Sequence, residues 1–233
     1  MPAVLITGAS RGFGRALVEV YARRGWTLFP LVRDGAIAAG LEASAGAACH
    51  PVVADVATDR AEHEIARVLG DHCEALDVLV NNAGHIIKLR GLRKTTPEDL
   101  EALFRVHCVG AFRCTRAALP FLKRARKPVV IDVTSRWGSI GRTLTGLLSG
   151  IYSYQIAKCA QNMLTACLDM ELRKEGIRVF AVHPGRLRTE VAPPDADVDP
   201  GDAAEALAGW IDRIDERTPC GFHDLMGKGL IEW

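Results

Sequence analysis

The chain has 233 residues, 48% of them hydrophobic and 24% charged, with a formal net charge of +1. This ordinary globular balance gives no excess field to attract nucleic acid or an anionic membrane, so neither is expected as a partner. Its seven cysteines (Cys49, Cys73, Cys108, Cys114, Cys159, Cys167 and Cys220) form no CxxC pair; the expectation is reduced thiols, no metal site and a cytoplasmic location.

The first apolar run, Ala3–Thr7, reads as a strand. Glycine follows too soon for a signal-peptide core, and no apolar stretch approaches the length of a membrane span. Residues 15–24 read as the first helix, with Ala16, Leu17, Val20 and Tyr21 on one face and Gly25 as a left-handed terminator. Thr27–Val32 is the second strand, where Pro30 removes a ladder donor and predicts local irregularity. Strands three to six are expected over 49–53, 78–81, 129–134 and 177–182. Between the fourth and fifth, Thr96-Pro97-Glu98-Asp99 has the make-up of a helix start: capping hydroxyl, proline in the first turn, acids against the dipole. A long helix over 153–175 stops at Gly176, another covers 201–217, and 222–226 forms a last strand. Short β-branched runs alternating with amphipathic helices are the mark of parallel βαβ units. With no repeat, linker or low-complexity segment, the expected fold class is α/β: a single-domain Rossmann-type, doubly wound parallel sheet of about seven strands over 1–233, with helices on both faces.

Between the first strand and the first helix lies Thr7-Gly8-Ala9-Ser10-Arg11-Gly12-Phe13-Gly14. Glycines there let the backbone turn tightly against a pyrophosphate, whose charge the free N–H groups of the helix start receive. Gly8, Ser10, Arg11, Gly12, Phe13 and Gly14 are therefore candidate cofactor-binding residues; a plain strand–helix turn is the alternative. An NAD site usually has an acid at the end of the second strand for the ribose 2′-hydroxyl. Here that end reads Val32-Arg33-Asp34, with Arg11 in the glycine turn. Two guanidinium groups suit a 2′-phosphate, so NADP(H) is expected in preference to NAD(H). The alternative for Arg33 is a surface ion pair with Asp34.

Tyr154-Gln155-Ile156-Ala157-Lys158 sets a phenol and an ammonium one helical turn apart on one face. Free tyrosine, with a pKa near 10, is a poor base at neutrality. A nearby cation favours the phenolate, and a shift of about three units needs about 4 kcal/mol. Tyr152 is the weaker candidate, because Ile156 stands where its lysine would be.

These motifs occur in a telling order: TGxxxGxG at 7–14, Asn81-Asn82-Ala83-Gly84, Val133-Thr134-Ser135-Arg136-Trp137-Gly138, YxxxK at 154–158, and His183-Pro184-Gly185-Arg186-Leu187-Arg188-Thr189. Together they resemble the short-chain dehydrogenase/reductase family. The run Ser135 to Ile140, His183-Pro184-Gly185 with Thr189, and Trp233 resemble its branch of sniffer carbonyl reductases and C-factor proteins. The resemblance implies an NADPH-dependent oxidoreductase acting on a ketone or aldehyde, or on the alcohol in reverse. Tyr154 would be the general acid, Ser135 would bond the carbonyl oxygen, and Lys158 would hold the nicotinamide ribose and depress the tyrosine pKa. The resemblance also implies cofactor contacts for Asp55, Val56, Asn82, Ala83, Gly84, Pro184, Gly185, Leu187 and Thr189, besides Tyr154 and Lys158. One departure stands out: where the family has asparagine in a helix before the fifth strand, this chain reads Val106-His107-Cys108-Val109-Gly110. His107 either replaces that asparagine in the proton relay to the lysine or is a packing histidine.

The substrate wall is expected from loops 85–95, 136–151 and 186–200, past the carboxyl ends of the strands. They carry Ile86, Ile87, Leu89, Trp137, Leu144, Leu147 and Leu148, with Arg90, Arg136, Arg142, Arg186 and Arg188. An apolar carbonyl or alcohol substrate with a polar or anionic end suits that mixture; solvated surface arginines are the alternative. Pro193-Pro194 lies in a short segment, so any lid is modest. The family often forms homodimers or homotetramers through the helices flanking the fifth strand, and Ala157, Ala160 and Ala166 are compatible with close packing there. Two other readings stay open: a cofactor-binding regulatory protein with little turnover, and a non-redox biosynthetic enzyme on the same scaffold.

Overall fold

A computed structural model describes residues 1–87, 91–146, 150–190, 196–227 and 229–233. Its strands among these residues are β1 (Ala3–Thr7), β2 (Thr27–Val32), β3 (Val52–Val53), β4 (Val78–Asn81), β5 (Val129–Val133), β6 (Arg178–His183), β7 (Phe222–Asp224) and β8 (Gly229–Ile231). They form one sheet in the order β3-β2-β1-β4-β5-β6-β7-β8, parallel throughout except for the antiparallel β7–β8 pair. The helices are α1 (Gly12–Arg23), α2 (Gly35–Ala45), α3 (Arg60–His72), α4 (Pro97–Phe104), α5 (Gly110–Leu122), α6 (Ile140–Leu144), α7 (Tyr152–Leu172) and α8 (Pro200–Ile211).

Successive strand residues point to opposite faces, and both faces are apolar, as a parallel sheet covered on both sides requires. Val4, Ile6, Val80, Ile131 and Phe180 pack with α1, α2 and α8. Leu5, Leu79, Val130 and Val179 pack with α3, α5 and α7. This is the doubly wound arrangement the sequence predicts, with one strand more: Gly229–Ile231 turns back on β7. A three-residue strand with two apolar side chains carries too little pattern to be read in advance.

Several boundaries shift for identifiable reasons. The third strand shrinks from 49–53 to Val52–Val53, with an isolated bridge between Leu28 and Cys49. The Leu28 N–H donates to the Ala48 carbonyl, and the Ala54 N–H donates to the Val32 carbonyl. Even-numbered residues of β2 therefore face β3, and Pro30 leaves its missing donor on that side. The β1–β2 ladder stays continuous, with Ile6 opposite Pro30. The irregularity expected of Pro30 falls on β3 alone. Helix starts follow their caps: Thr96 and Asp99 form a reciprocal capping box on α4, and Asp199 caps α8 just before Pro200. α8 ends at Ile211, short of the expected 217, while α7 ends in a 3-10 turn and a left-handed Gly176.

Because β1 lies between β2 and β4, the chain winds outward in both directions from it, opening a crevice at the carboxyl ends of β1 and β4. Thr7 and Asn82 lock that seam. The Thr7 hydroxyl accepts the Asn82 and Ala83 N–H groups at 3.0 and 2.9 Å. Asn82 Nδ2 donates to the carbonyls of Thr7 and Gly8 at 2.9 and 3.2 Å. Thr7 is buried, so the isosteric Thr7→Val leaves two N–H groups without their acceptor. A loss of about 2 kcal/mol in urea unfolding is expected; an unchanged midpoint would show that the seam carries no such weight.

Candidate functional site

The glycine turn has the geometry its sequence demands. Gly8 and Gly12 have φ of +68° and +55°, the left-handed region that favours glycine. A Cβ added to Gly14 would sit 2.3 Å from the Gly8 carbonyl oxygen, so the first turn of α1 packs directly on the end of β1. The helix begins at Gly12 with no side-chain cap and no acid in its first turn. Its open amides face a cleft of 1490 Å³, which all twenty sequence-predicted site residues line. An uncapped helix start at the floor of a cleft this size fits a dinucleotide pyrophosphate; the residues present therefore suit the expected cofactor.

At the adenosine end, Asp34 does not pair with Arg33. Its side chain accepts the Ala36 N–H at 2.7 Å and caps α2. Arg33 lies exposed, 4.0 Å from Asp55, whose other oxygen accepts the Ala57 N–H. Val56 packs against Gly110, where a Cβ would come within 2.9 Å of Val56 Cγ2. Arg11 forms an exposed ion pair with Glu190. The segment after β6 folds back over the glycine turn: Thr189 Cγ2 would lie 3.3 Å from a Cβ on Gly12, and Leu187 bridges to Val198.

At the other end, Tyr154 and Lys158 rise from the first turns of α7, and Ser135 follows β5 directly. Ser135 is hydrogen-bonded to the Tyr154 phenol. Lys158 Nζ lies 5.9 Å from the centre of the Tyr154 ring and donates to the Val133 carbonyl at 2.8 Å and to Gln161 Oε1 at 2.9 Å. Burial pushes the Lys158 pKa down to about 7, against a smaller upward pull from Asp132. Burial also raises the Tyr154 pKa, opposed by the Ser135 hydrogen bond. The sequence-based expectation of a phenol depressed by the lysine therefore has the wrong sign in this structure. Desolvation is the larger influence on both groups.

His107 lies in a π-helical turn, Arg105–Val109, that joins α4 to α5. Such a turn bulges one helix and re-aims side chains, often at functional sites. Its imidazole is buried, meets the Tyr154 ring edge-on at 5.6 Å, and has Nε2 at 2.8 Å from the His85 carbonyl oxygen. A carbonyl can only accept, so Nε2 carries the proton and Nδ1 is a bare lone pair with no protein partner. Burial and the Lys158 charge hold the His107 pKa well below the ordinary value. Gly84 belongs to this packing: a Cβ there would lie 2.3 Å from His107 Cε1.

Three neighbours of the site, Gln161, Asp132 and His85, escape the sequence reading, and His183 enters it only as part of its motif, with no role. Gln161 is marked only by standing three residues after Lys158. Asp132 is fully buried beneath the lysine and accepts from Asn81 Nδ2 at 2.8 Å and Thr165 Oγ1 at 2.7 Å. Of the expected substrate-wall residues, Ile86, Trp137, Arg136 and Arg186 line the cleft, whereas Leu144 is exposed outside it. Leu89, Arg90, Leu147, Leu148, Pro193 and Pro194 fall outside the described residues. No helix among the described residues is long and apolar enough to cross a membrane.

Comparison with known proteins agrees with this geometry. The chain is 33% identical over 221 residues to the short chain dehydrogenase citE of Monascus ruber, covering 90% of this chain and 74% of that one. Among solved structures, the NADPH-bound carbonyl reductase from chicken fatty liver superposes with a TM-score of 0.89 at 25% identity, covering 100% of this chain and 99% of that one. The carbonyl reductase Sniffer of D. melanogaster also gives 0.89, at 26% identity and 100% coverage of both chains. The family model for short chain dehydrogenases matches residues 2–198, and the chain belongs to that family.

Proposed function

We propose that this chain, acting as one domain over 1–233, is an NADP(H)-dependent reductase of ketones or aldehydes, or the corresponding alcohol dehydrogenase in reverse. The observation that carries this reading is the meeting of Tyr154, Ser135 and Lys158 in the same cleft as the uncapped start of α1. A nicotinamide bound there would supply the hydride. The chain's own residues supply the rest. Tyr154, kept protonated by burial, holds the proton for the carbonyl oxygen. Ser135 gives that oxygen a second hydrogen bond, where negative charge develops. Lys158, when charged, stabilises the phenolate left behind. The amides at the start of α1 would take the pyrophosphate. Arg33 and Arg11 would take the 2′-phosphate, for which Arg11 exchanges an exposed and therefore weak pairing with Glu190. The NADPH-bound state of the chicken relative supports the same cofactor choice. Seven free thiols suit a reducing cytoplasm.

The deciding measurement is cofactor oxidation against a panel of ketones, aldehydes and quinones. Turnover with NADPH is expected, with NADH a poorer donor, and Tyr154→Phe should lower kcat at least ~100-fold. Tight NADPH binding with no turnover across the panel would move the assignment to a regulatory protein or a non-redox enzyme.

The pH dependence separates the two buried bases. Lys158 is charged below about pH 7 and neutral above it, so the proposed role predicts kcat/KM for NADPH falling as pH rises through about 7. His107 stays neutral across this range, and we assign it to position Tyr154 and, through its bare Nδ1, to accept from the relay. His107→Asn should therefore lower kcat without moving the alkaline limb. A limb that disappears in this variant would identify His107, rather than Lys158, as the titrating group.

We further infer a homodimer. Ile156, Met163 and Met170 recur every seven residues on the exposed face of α7, and Phe104 of the adjoining α4 is exposed as well. An exposed apolar row of this kind on α7 suits a second copy of the chain. Ala157 is fully buried against its own core and cannot serve such a contact, unlike the half-buried Ala160 and Ala166. Sedimentation should give a dimer that Met163→Glu dissociates; a native monomer at tens of micromolar would overturn this.

A further inference from the structure

Arg136 follows Ser135 directly and opens the 3-10 turn Arg136–Gly138. That turn is pinned from several directions. The Trp137 N–H donates to Ser135 Oγ at 3.3 Å, the Gly138 N–H to the Ser135 carbonyl at 2.7 Å, and Asn162 Nδ2 to the Gly138 carbonyl at 3.2 Å. Gly138 abuts α7 so closely that a Cβ would lie 2.7 Å from the Lys158 carbonyl carbon. The root of Arg136 is thus fixed relative to both Ser135 and Lys158.

Its side chain is half-buried in the cleft wall. Among the described residues the guanidinium has no ion pair and no hydrogen bond, whereas Arg11, Arg33 and Arg188 each have a carboxylate within 4.0 Å. Beside it in the wall, at the end of β6, is His183. That ring is only 7% exposed, and its buried Nδ1 has no partner. Burial, aided by Arg136 and Arg142 and opposed by Asp224, pushes the His183 pKa to about 4, so the ring is neutral and adds no charge. The Asp224 carboxylate accepts the Gly227 N–H at 3.0 Å in the turn after β7. A partly desolvated guanidinium without a partner is costly unless a ligand completes it. The planar guanidinium fork matches a carboxylate, and Trp137 offers an apolar surface next to it.

We propose that Arg136, flanked by the neutral His183 ring, forms a carboxylate-binding wall next to the reacting centre, which selects ketones or aldehydes that carry an acid group. This rests on the reductase reading above and names its substrate class. The Arg136 guanidinium takes both carboxylate oxygens, and the neutral His183 ring beside it leaves the guanidinium as the charge that meets them.

Two experiments keep the proposal and the reductase reading apart. The first needs no turnover: calorimetric titration of the NADP⁺-saturated protein with benzoate and with benzyl alcohol. Benzoate is expected to bind at least ~10-fold more tightly. Arg136→Met should abolish that preference and Arg136→Lys should retain part of it, with NADP⁺ affinity as the check that the variants are folded. The second compares kcat/KM for 4-carboxybenzaldehyde and 4-methylbenzaldehyde, a ratio that Arg136→Met should lower about tenfold. Equal binding of benzoate and benzyl alcohol, or a preference and a ratio that survive in Arg136→Met, overturns the anion wall. If neither aldehyde is reduced, the calorimetric result alone decides the wall, and the reductase reading stands or falls on the broader carbonyl panel.

Discussion

Lys158 is held inside the protein by the Val133 carbonyl and the Gln161 amide oxygen, with no carboxylate in direct contact among the described residues. The only acid that acts on it, Asp132, is itself buried, and its pKa is raised by that burial. Asn81 and Thr165 occupy its oxygens. The consequence for stability has a definite sign. Below about pH 7 the lysine is charged in both folded and unfolded chains, and the folded state bears the full cost of desolvating it. That cost fades as pH rises from about 7 toward the ordinary value of 10.5, because the folded chain then holds the neutral amine while the unfolded chain still holds a proton. The candidate site is therefore a place where the fold gives up stability at neutral pH, as sites built for chemistry commonly do.

The same tension explains the helix that faces the lysine. A regular helix from Pro97 to Leu122 would carry residue 107 along an unbroken stripe. The π-helical turn instead sets an imidazole against the Tyr154 ring and over the bare backbone of Gly84. His107 is bulkier than asparagine, and it occupies the space that a side chain at residue 84 would fill. The Asn82-Ala83-Gly84 run thus serves two constraints at once. Its asparagine closes the β1–β4 seam, and its glycine makes room for the histidine.

Elements whose causes are local were legible from sequence. The glycine turn, the capping box at Thr96, the left-handed stops at Gly25 and Gly176 and the apolar strands all follow from properties of neighbouring residues. The candidate site residues, in motifs spread from Gly8 to Thr189, also converge on one cleft, because each sits at the carboxyl end of a strand or at the helix start beyond it. What could not be read depends on long-range geometry. Asp34 caps α2, which decides that Arg33 is left for Asp55. Arg11 meets a glutamate 179 residues away. Gln161 matters only because the β5 carbonyl and the lysine meet beside it. The direction of the Tyr154 shift was misjudged because a sequence displays the cation four residues on but not the depth of the cleft, and depth dominates.

Charge at the cleft illustrates the same limit in the opposite direction. A net charge of +1 gives no excess field for a polyanionic partner, yet it averages over the whole surface. The walls of the cleft alone carry Arg11, Arg33, Arg136, Arg186, Arg188 and Lys158 against only Asp55 and Glu190. A concave, low-dielectric space lined in this way concentrates its field inward. The arginines also separate by position. Arg11 and Arg33 lie on the loops that follow β1 and β2, at the adenosine end, while Arg136 stands beside Ser135 at the far end of the groove. A single anionic cofactor occupying the first region would leave the second still positive, and a neutral substrate would do nothing to relieve it. The distribution of charge along the groove, more than its amount, is what favours two anions bound end to end.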